Sequence, residues 1–525
     1  MGLLAGGTAM LPLQRPEAAF DDDDDSDDEG SPPVEPFQRD MPIPEVLQPV
    51  DAFSDPNPPG PTCSSLEVPG FDLPEPLLYE VRLQEGEQEI LPGFMSEIWG
   101  YTDNSGTPVF PGPSFMVERD RPIIVRFINE LPVEASTHNH GGHSPADSDG
   151  FPNDFIFPGE FKDYCYPNIA PGDDDSDFGT LQWYHDHAMD ITGENVYMGL
   201  AGFYLLHDDV EQDLIDTGTL PEPEFDIPMV LQDRLFDRQG QLVYDPMDHD
   251  GVIGDRFVIN GVIQPRLRVR RRKYRFRILN GSNARVYALR LSTGDEFLQI
   301  GNDSWMLPRA VALPDLLLSP AERADVVIDF THAPDEVFLT NHLTHDLDDG
   351  RKPQEHIDRP EKWPKKGTPL VKFVVEGAPQ NNATVAPGTP LRPHTPIDRD
   401  EIVRTRRFEF ERRHGAWVIN HEFFDPDRDD ATPKLGTAER WILENGSGGW
   451  LHPIHMHLEG HQIQRIDGRP PPPHMAANKD TVLLGDFDAE VFMKFRDFPG
   501  RFVFHCHNIE HEDMRMMGVF NVEED

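Results

Sequence analysis

The chain has 525 residues, with 94 Asp and Glu against 46 Lys and Arg and a formal net charge of −48. Such a surface repels nucleic acid and anionic membranes, and no run of about 20 apolar residues is present to span a bilayer. At this length two to four domains of about 100–200 residues are expected, and the acidity reads as adaptation to high salt, where screening makes crowded carboxylates tolerable.

The opening "MGLLAGGTAMLPLQRP" lacks a basic n-region, so no secretory signal is read, and both a cytoplasmic and a spore- or cell-surface location are compatible with it. "FDDDDDSDDEGSPP" follows, and residues 1–38 are expected to form a disordered acidic tail. Short β-patterned stretches such as "RPIIVRFINELP" and "RFVFHCH", separated by Pro, Gly and Asp turns, favour stacked β domains. Their distribution predicts domains at residues 39–210, 223–378 and 401–525, with a Pro- and Thr-rich linker at 379–400 that has little to bury. The basic run "RLRVRRRKYRFRIL" is expected to be a strand pair with solvated arginines on one face, paired with part of the acidic excess, rather than a nucleic-acid patch. Cys63, Cys165 and Cys506 are too few for a disulfide framework. A 63–165 bridge is conceivable, but nothing requires it, and Cys165 reads as a small buried side chain.

A His-x-His unit occurs four times: His138/His140, His185/His187, His455/His457 and His505/His507. Residues two apart on a strand project from one face, so each unit can present two imidazoles to one point. Eight imidazoles suffice for three copper ions with room for dioxygen. Two units lie in the first predicted domain and two in the third, which predicts a cluster where those domains meet.

Within "HCHNIEHEDMRMM", Cys506 lies between His505 and His507, so its sulfur points to the opposite strand face. A metal there would have the thiolate, His511, and His452, which stands outside the His455/His457 pair. Two histidines and one cysteine form the trigonal set of a blue electron-transfer copper, often with a weak axial methionine. Zinc would need four ligands and no second cluster, leaving many ordered histidines unused.

These segments resemble the multicopper oxidase family, and within it the bacterial spore-coat laccase and bilirubin oxidase branch. "HNHGG", "YHDHAM", "LHPIHMH" and "HCHNIEHEDMRMM" carry the resemblance, while "YRFRILNGSNARVYALRL" and "LSPAERADVVIDF" are similar to that family's metal-free middle domain. The resemblance implies an all-β fold of three cupredoxin-like Greek-key β-barrel domains, and four copper ions. It implies type 2 copper at His138 and His455, and a type 3 pair at His140, His185, His187, His457, His505 and His507. Type 1 copper is implied at His452, Cys506 and His511, with Met516 as axial ligand. Met514 and Met517 are then packing residues or line the approach to the metal. Glu512 resembles a proton donor to reduced oxygen, and Asp149 the acid near the type 2 copper. His143, Ala146, Cys165 and the acidic loop 171–180 depart from that pattern.

The family oxidises phenols, aromatic amines and bilirubin with dioxygen. Small aromatic donors are therefore expected, at a broad pocket near an exposed edge of His452. The loop 467–480 is expected as a stiff wall there, and "GGW" as an aromatic surface. Alternatives are oxidation of Mn(II), Fe(II) or Cu(I), a bilirubin oxidase-like activity, or a copper-free structural role. A monomer is expected.

Overall fold

The structure is a computed structural model that describes residues 30–55, 57, 60, 68–345, 353, 355–380 and 383–524. It is mostly β, with cupredoxin-like pairs of open sheets packed face to face. No helix among the described residues is long and apolar enough to cross a membrane.

The first and third sheet pairs repeat one plan. In each, a five-stranded sheet packs on a four-stranded one. In the first pair the four-stranded sheet ends with Leu181–Asp186 beside Thr137–His140; in the third it contains His452–Met456 beside Gly500–Cys506. Antiparallel register sets His138 opposite His185, and His455 opposite His505. Inward apolar residues such as Val81, Phe127 and Tyr184 fill the first core, and Phe410, Trp441 and Phe504 the third. Between them lies an eight-stranded sheet facing a five-stranded one, with Phe276, Leu289 and Phe373 at its centre.

Several expectations are corrected. Residues 30–38 are not a loose tail: Ser31 is buried, its backbone N–H donates to Asp255 (3.0 Å), and Phe37 N–H donates to Gln264 O (2.8 Å). Residues 1–29, which hold the acidic run, lie outside the described residues. The segment 379–400 buries Val385, Leu391 and Arg392, because it packs against Leu307 and Trp305 of the middle sheets. The basic run is not one hydrogen-bonded strand pair, since Arg266–Arg270 and Lys273–Asn280 belong to different sheets. Arg268 and Arg270 are exposed, but Arg275 and Arg277 are buried. The helix Asp209–Asp216 covers their face and supplies Glu211 to both guanidinium groups, with Asp325 on Arg275 and Asp226 on Arg277 (2.8 Å). Cys165 is buried as expected and is also disulfide-bonded, whereas Cys506 is free and buried.

Candidate metal centre

The eight paired histidines converge where the first and third sheet pairs meet, and every one is buried. Donor atoms of His138, His140 and His455 lie within 4.8 Å of one another, as do those of His140, His185 and His507, and of His187, His457 and His505. The Nε2 atoms of His138 and His455 stand 3.3 Å apart, and His505 Nε2 is 3.2 Å from both His187 Nε2 and His457 Nε2.

Most rings are held from behind through Nδ1. His138 donates to Asp149 O (2.5 Å), His185 to Asp186 O (2.8 Å) and His455 to Asp480 O (2.8 Å). His457 Nδ1 meets the Asp149 carboxylate at 2.7 Å and His505 Nδ1 lies 3.1 Å from Glu512, whereas His187 Nδ1 lies 3.4 Å from Glu512 without a hydrogen bond. His140 is reversed, with Nε2 on the Asp480 carboxylate (3.1 Å). Among the described residues of the four pairs, His140 Nδ1, His185 Nε2, His187 Nδ1 and both nitrogens of His507 have no hydrogen-bond partner. At His140 and His185 a bare buried nitrogen sits on a ring fixed by a hydrogen bond from its other nitrogen, which is what metal ligation requires.

A second set lies on the other face of the same strand. Cys506 Sγ is 3.4 Å from His452 Nδ1 and 3.6 Å from His511 Nδ1, and the two nitrogens are 3.3 Å apart. A point equidistant from these three atoms lies about 2 Å from each, the length of a metal–imidazole bond. Met516 is fully buried in the core that contains Cys506, and its backbone brackets the site: Cys506 N–H donates to Met516 O (3.1 Å) and Met516 N–H to His511 O (2.9 Å). Trp417 stacks on His511 at 3.7 Å, and its indole N–H donates to His249 O (2.7 Å).

The multicopper oxidase pattern matches residues 85–211 and again residues 389–525. The chain is 31% identical to a laccase of Bacillus subtilis, across 93% of this chain and 99% of that one. It is 35% identical to a bilirubin oxidase of Albifimbria verrucaria, across 92% and 81%. The solved structure of a laccase from Pediococcus acidilactici superposes with a TM-score of 0.76 at 27% identity, covering 94% of this chain and 95% of that one. The chain belongs to the multicopper oxidase family.

As a multicopper oxidase it takes four coppers of types 1, 2 and 3, and its donor set fits them. Burial holds His452, His185 and His187 neutral, as metal-binding imidazoles must be: His452 and His185 are pushed down to about 3 and His187 to about 4. Burial also pushes the Cys506 thiol well up, so a thiolate there needs a cation beside it. The two acids differ. Burial pushes Asp149 up to about 8. At Glu512 burial acts the same way, but His505 and His187 outweigh it and hold the carboxyl well below its usual range.

The surroundings of His452 differ from expectation. Its ring is fully buried, and Nε2 donates to Ser447 Oγ (2.7 Å), which in turn donates to Phe410 O (3.1 Å). Trp450 is also buried, edge-on to Trp417 and His511, so "GGW" packs the metal site instead of forming an open aromatic surface. From the loop 467–480, Pro472, His474, Met475 and Lys479 line a cavity of about 560 Å³, closed on other sides by Trp363 and Phe487. Met514 lines a separate cavity of about 450 Å³ together with Glu510 and Asp513, the neighbours of His511. Met517 packs in a small core with Val503.

Sequence reasoning missed Asp480, Ser447 and Trp417. Only strand pairing brings the first to the site, since Thr481 lies opposite His455.

Proposed function

We propose that this multicopper oxidase is laccase-like, taking single electrons from phenols or aromatic amines and passing them to dioxygen. In this reading His452, Cys506, His511 and Met516 hold the type 1 copper, and His138 and His455 the type 2 copper. His140, His185, His187, His457, His505 and His507 hold the type 3 pair. When bound, the coppers supply one-electron uptake from the donor and reduction of dioxygen to water. The observation that carries the reading is one strand end: Cys506 faces His452 and His511, while its covalent neighbours His505 and His507 face the histidine cluster. Two one-residue backbone paths thus join the electron-entry face to the oxygen face.

Asp149, Glu512 and Asp480 are carboxyl groups that touch the cluster's rings; Asp149, pushed up by burial, is the group to hold a proton for oxygen reduction, and Glu512, held ionised, is the one to accept and pass protons on. Aromatic donors are supported by the largely apolar cavity that includes Leu483 and Phe487, because Leu483 lies opposite Pro453, the neighbour of His452. Cavities of this size and lining suit small ring compounds.

One observation favours a second reading, oxidation of Mn(II), Fe(II) or Cu(I). The cavity beside His511 is lined by Asp190, Glu194, Asp248, Glu510 and Asp513, which would draw in a cation. The test is anaerobic addition of 2,6-dimethoxyphenol to copper-loaded protein, following the blue thiolate absorption, then admitting air. Bleaching that air reverses is the expected result. A blue protein that phenol leaves unbleached and Mn(II), Fe(II) or Cu(I) bleaches would replace the first reading with the second. No blue absorption after copper loading would refute the type 1 assignment.

A further inference from the structure

The middle sheet pair contributes none of the proposed ligands, yet one of its side chains reaches the cluster. Arg323, at the start of the strand Arg323–Asp329, is wholly buried and forks onto Asp480: Nη1 donates to Oδ1 and Nη2 to Oδ2, both at 2.6 Å. Bidentate pairing of this kind fixes a carboxylate's plane as well as its charge. The guanidinium is itself pinned by Ser304 Oγ (2.6 Å), by Ala321 O (3.2 Å), and by Leu181 O (3.2 Å) at the start of the strand that carries His185.

Asp480 then holds two rings in opposite senses. Its carboxylate accepts from His140 Nε2 (3.1 Å), which leaves His140 Nδ1 bare, and its backbone carbonyl accepts from His455 Nδ1 (2.8 Å), which leaves Nε2 facing His138. The two rings stack at 3.6 Å, so turning one would displace the other. No slack exists around the fork: a Cβ at Gly141, beside His140, would lie 2.7 Å from both Arg323 Nη2 and Asp480 Oδ2. Below Asp480, the Asp303 carboxylate accepts from the N–H groups of Asp480 (3.2 Å), Thr481 (3.1 Å) and Arg323 (3.1 Å), and pairs with Lys479 (2.9 Å). All three sheet pairs meet here.

We propose that Arg323 is a positioning residue of the histidine cluster: by clamping Asp480 it fixes which nitrogen His140 and His455 turn inward, so the metal-free middle sheets orient ligands of both copper types. The inference rests on the ligand assignment proposed above. A side chain that orients a ligand through its outer hydrogen bond is worth about 10–100-fold in metal affinity.

The experiment uses full-length, copper-loaded wild type, Arg323→Met, Arg323→Lys and Arg275→Met. The last removes a buried arginine of the same sheets whose partners, Glu211 and Asp325, make no hydrogen bond to a histidine of the cluster. Copper is titrated out with a chelator while the type 2 paramagnetic resonance signal and the blue absorption are recorded. Arg323→Met is expected to release type 2 copper at about 10–100-fold lower chelator activity and to change its resonance. Its blue absorption should stay at the wild-type value, and Arg323→Lys, with charge but no fork, should fall between. Arg275→Met should leave both signals unchanged. A wild-type resonance and release curve in Arg323→Met would overturn the proposal, and so would the same change in Arg275→Met. Should Arg323→Met not fold, Arg323→Lys decides alone, a shifted resonance supporting the proposal and an unshifted one overturning it. Failure of the wild type to give a type 2 signal would instead refute the ligand assignment.

Discussion

His143 offers a test of how the first and third sheet pairs are held together around the cluster. Its buried ring has Leu458 O at 3.1 Å from Nδ1 and Asp497 Oδ2 at 2.9 Å from Nε2. A carbonyl and a carboxylate only accept, so both nitrogens must donate and the ring is an imidazolium. Burial opposes that charge, but Glu459 and Asp497 outweigh it and hold His143 above its ordinary value, with Arg496 acting against them. Asp497 is correspondingly held below the usual range: burial raises it, while His143 and the Gly172 N–H (2.6 Å) lower it further than that.

The sign follows from these directions. A raised histidine stabilises fully below its unfolded value of 6.5, and the contribution is lost as pH rises through the folded value. The lowered Asp497 contributes above 3.8 and is lost as pH falls through its folded value. The bridge therefore acts across the mildly acidic range and fades toward alkaline pH. Two hydrogen bonds to a charged ring are worth about 1.5–3 kcal/mol each, and the desolvation of the pair offsets part of that. Since Asp497 keeps the Gly172 donor and some access to water, His143→Leu should cost about 2 kcal/mol at pH 6, the cost shrinking as pH rises through the alkaline range. The assay is guanidinium unfolding of wild type and variant across that range, followed by tryptophan fluorescence. A gap that stays constant with pH, or that widens as pH rises, would refute the charged bridge.

Cys506→Ser should abolish the blue absorption and lower bound copper by one ion per chain, leaving the type 2 resonance in place; absorption and metal analysis check this. Ser447→Ala leaves the buried His452 Nε2–H without its acceptor and should cost about 1–3 kcal/mol of unfolding free energy, read by guanidinium unfolding, with Ser447→Thr restoring most of it. Raising KCl from 0.1 to 2 M should raise the unfolding temperature, because a net charge of −48 repels itself over a Debye length that shortens from about 10 Å to less than 3 Å. A midpoint that falls with salt would show that attractive ion pairs dominate that surface.

The convergence of the paired histidines was legible in the sequence because each unit is local: two residues apart on one strand is a geometry that needs no knowledge of the fold, and Cys506 between two histidines must face the other way. What surrounds them was not legible, because it depends on which segments meet. Alternation in "YRFRIL" marks Arg275 and Arg277 as one face of a strand, but only the docking of the Asp209–Asp216 helix decides that the face is buried. In the same way His452 reads as an outer ligand, while the Ser447 loop that covers it comes from a neighbouring turn.

The distinction bears on why three sheet pairs are needed for a cluster whose ligands come from two. Histidines presented from two faces would meet with their rings free to turn about the Cβ–Cγ bond, and nothing in the pairing of the strands selects which ring nitrogen points inward. Orientation must come from acceptors behind the rings, and these are drawn from every part of the chain: Asp149 from the first sheets, Glu512 and Asp480 from the third, with Arg323 of the middle sheets clamping Asp480. The middle sheets thus bear on the metal cluster through a carboxylate's orientation, and a chain with every histidine intact but no Arg323 would present the same ligand motif with a looser type 2 site.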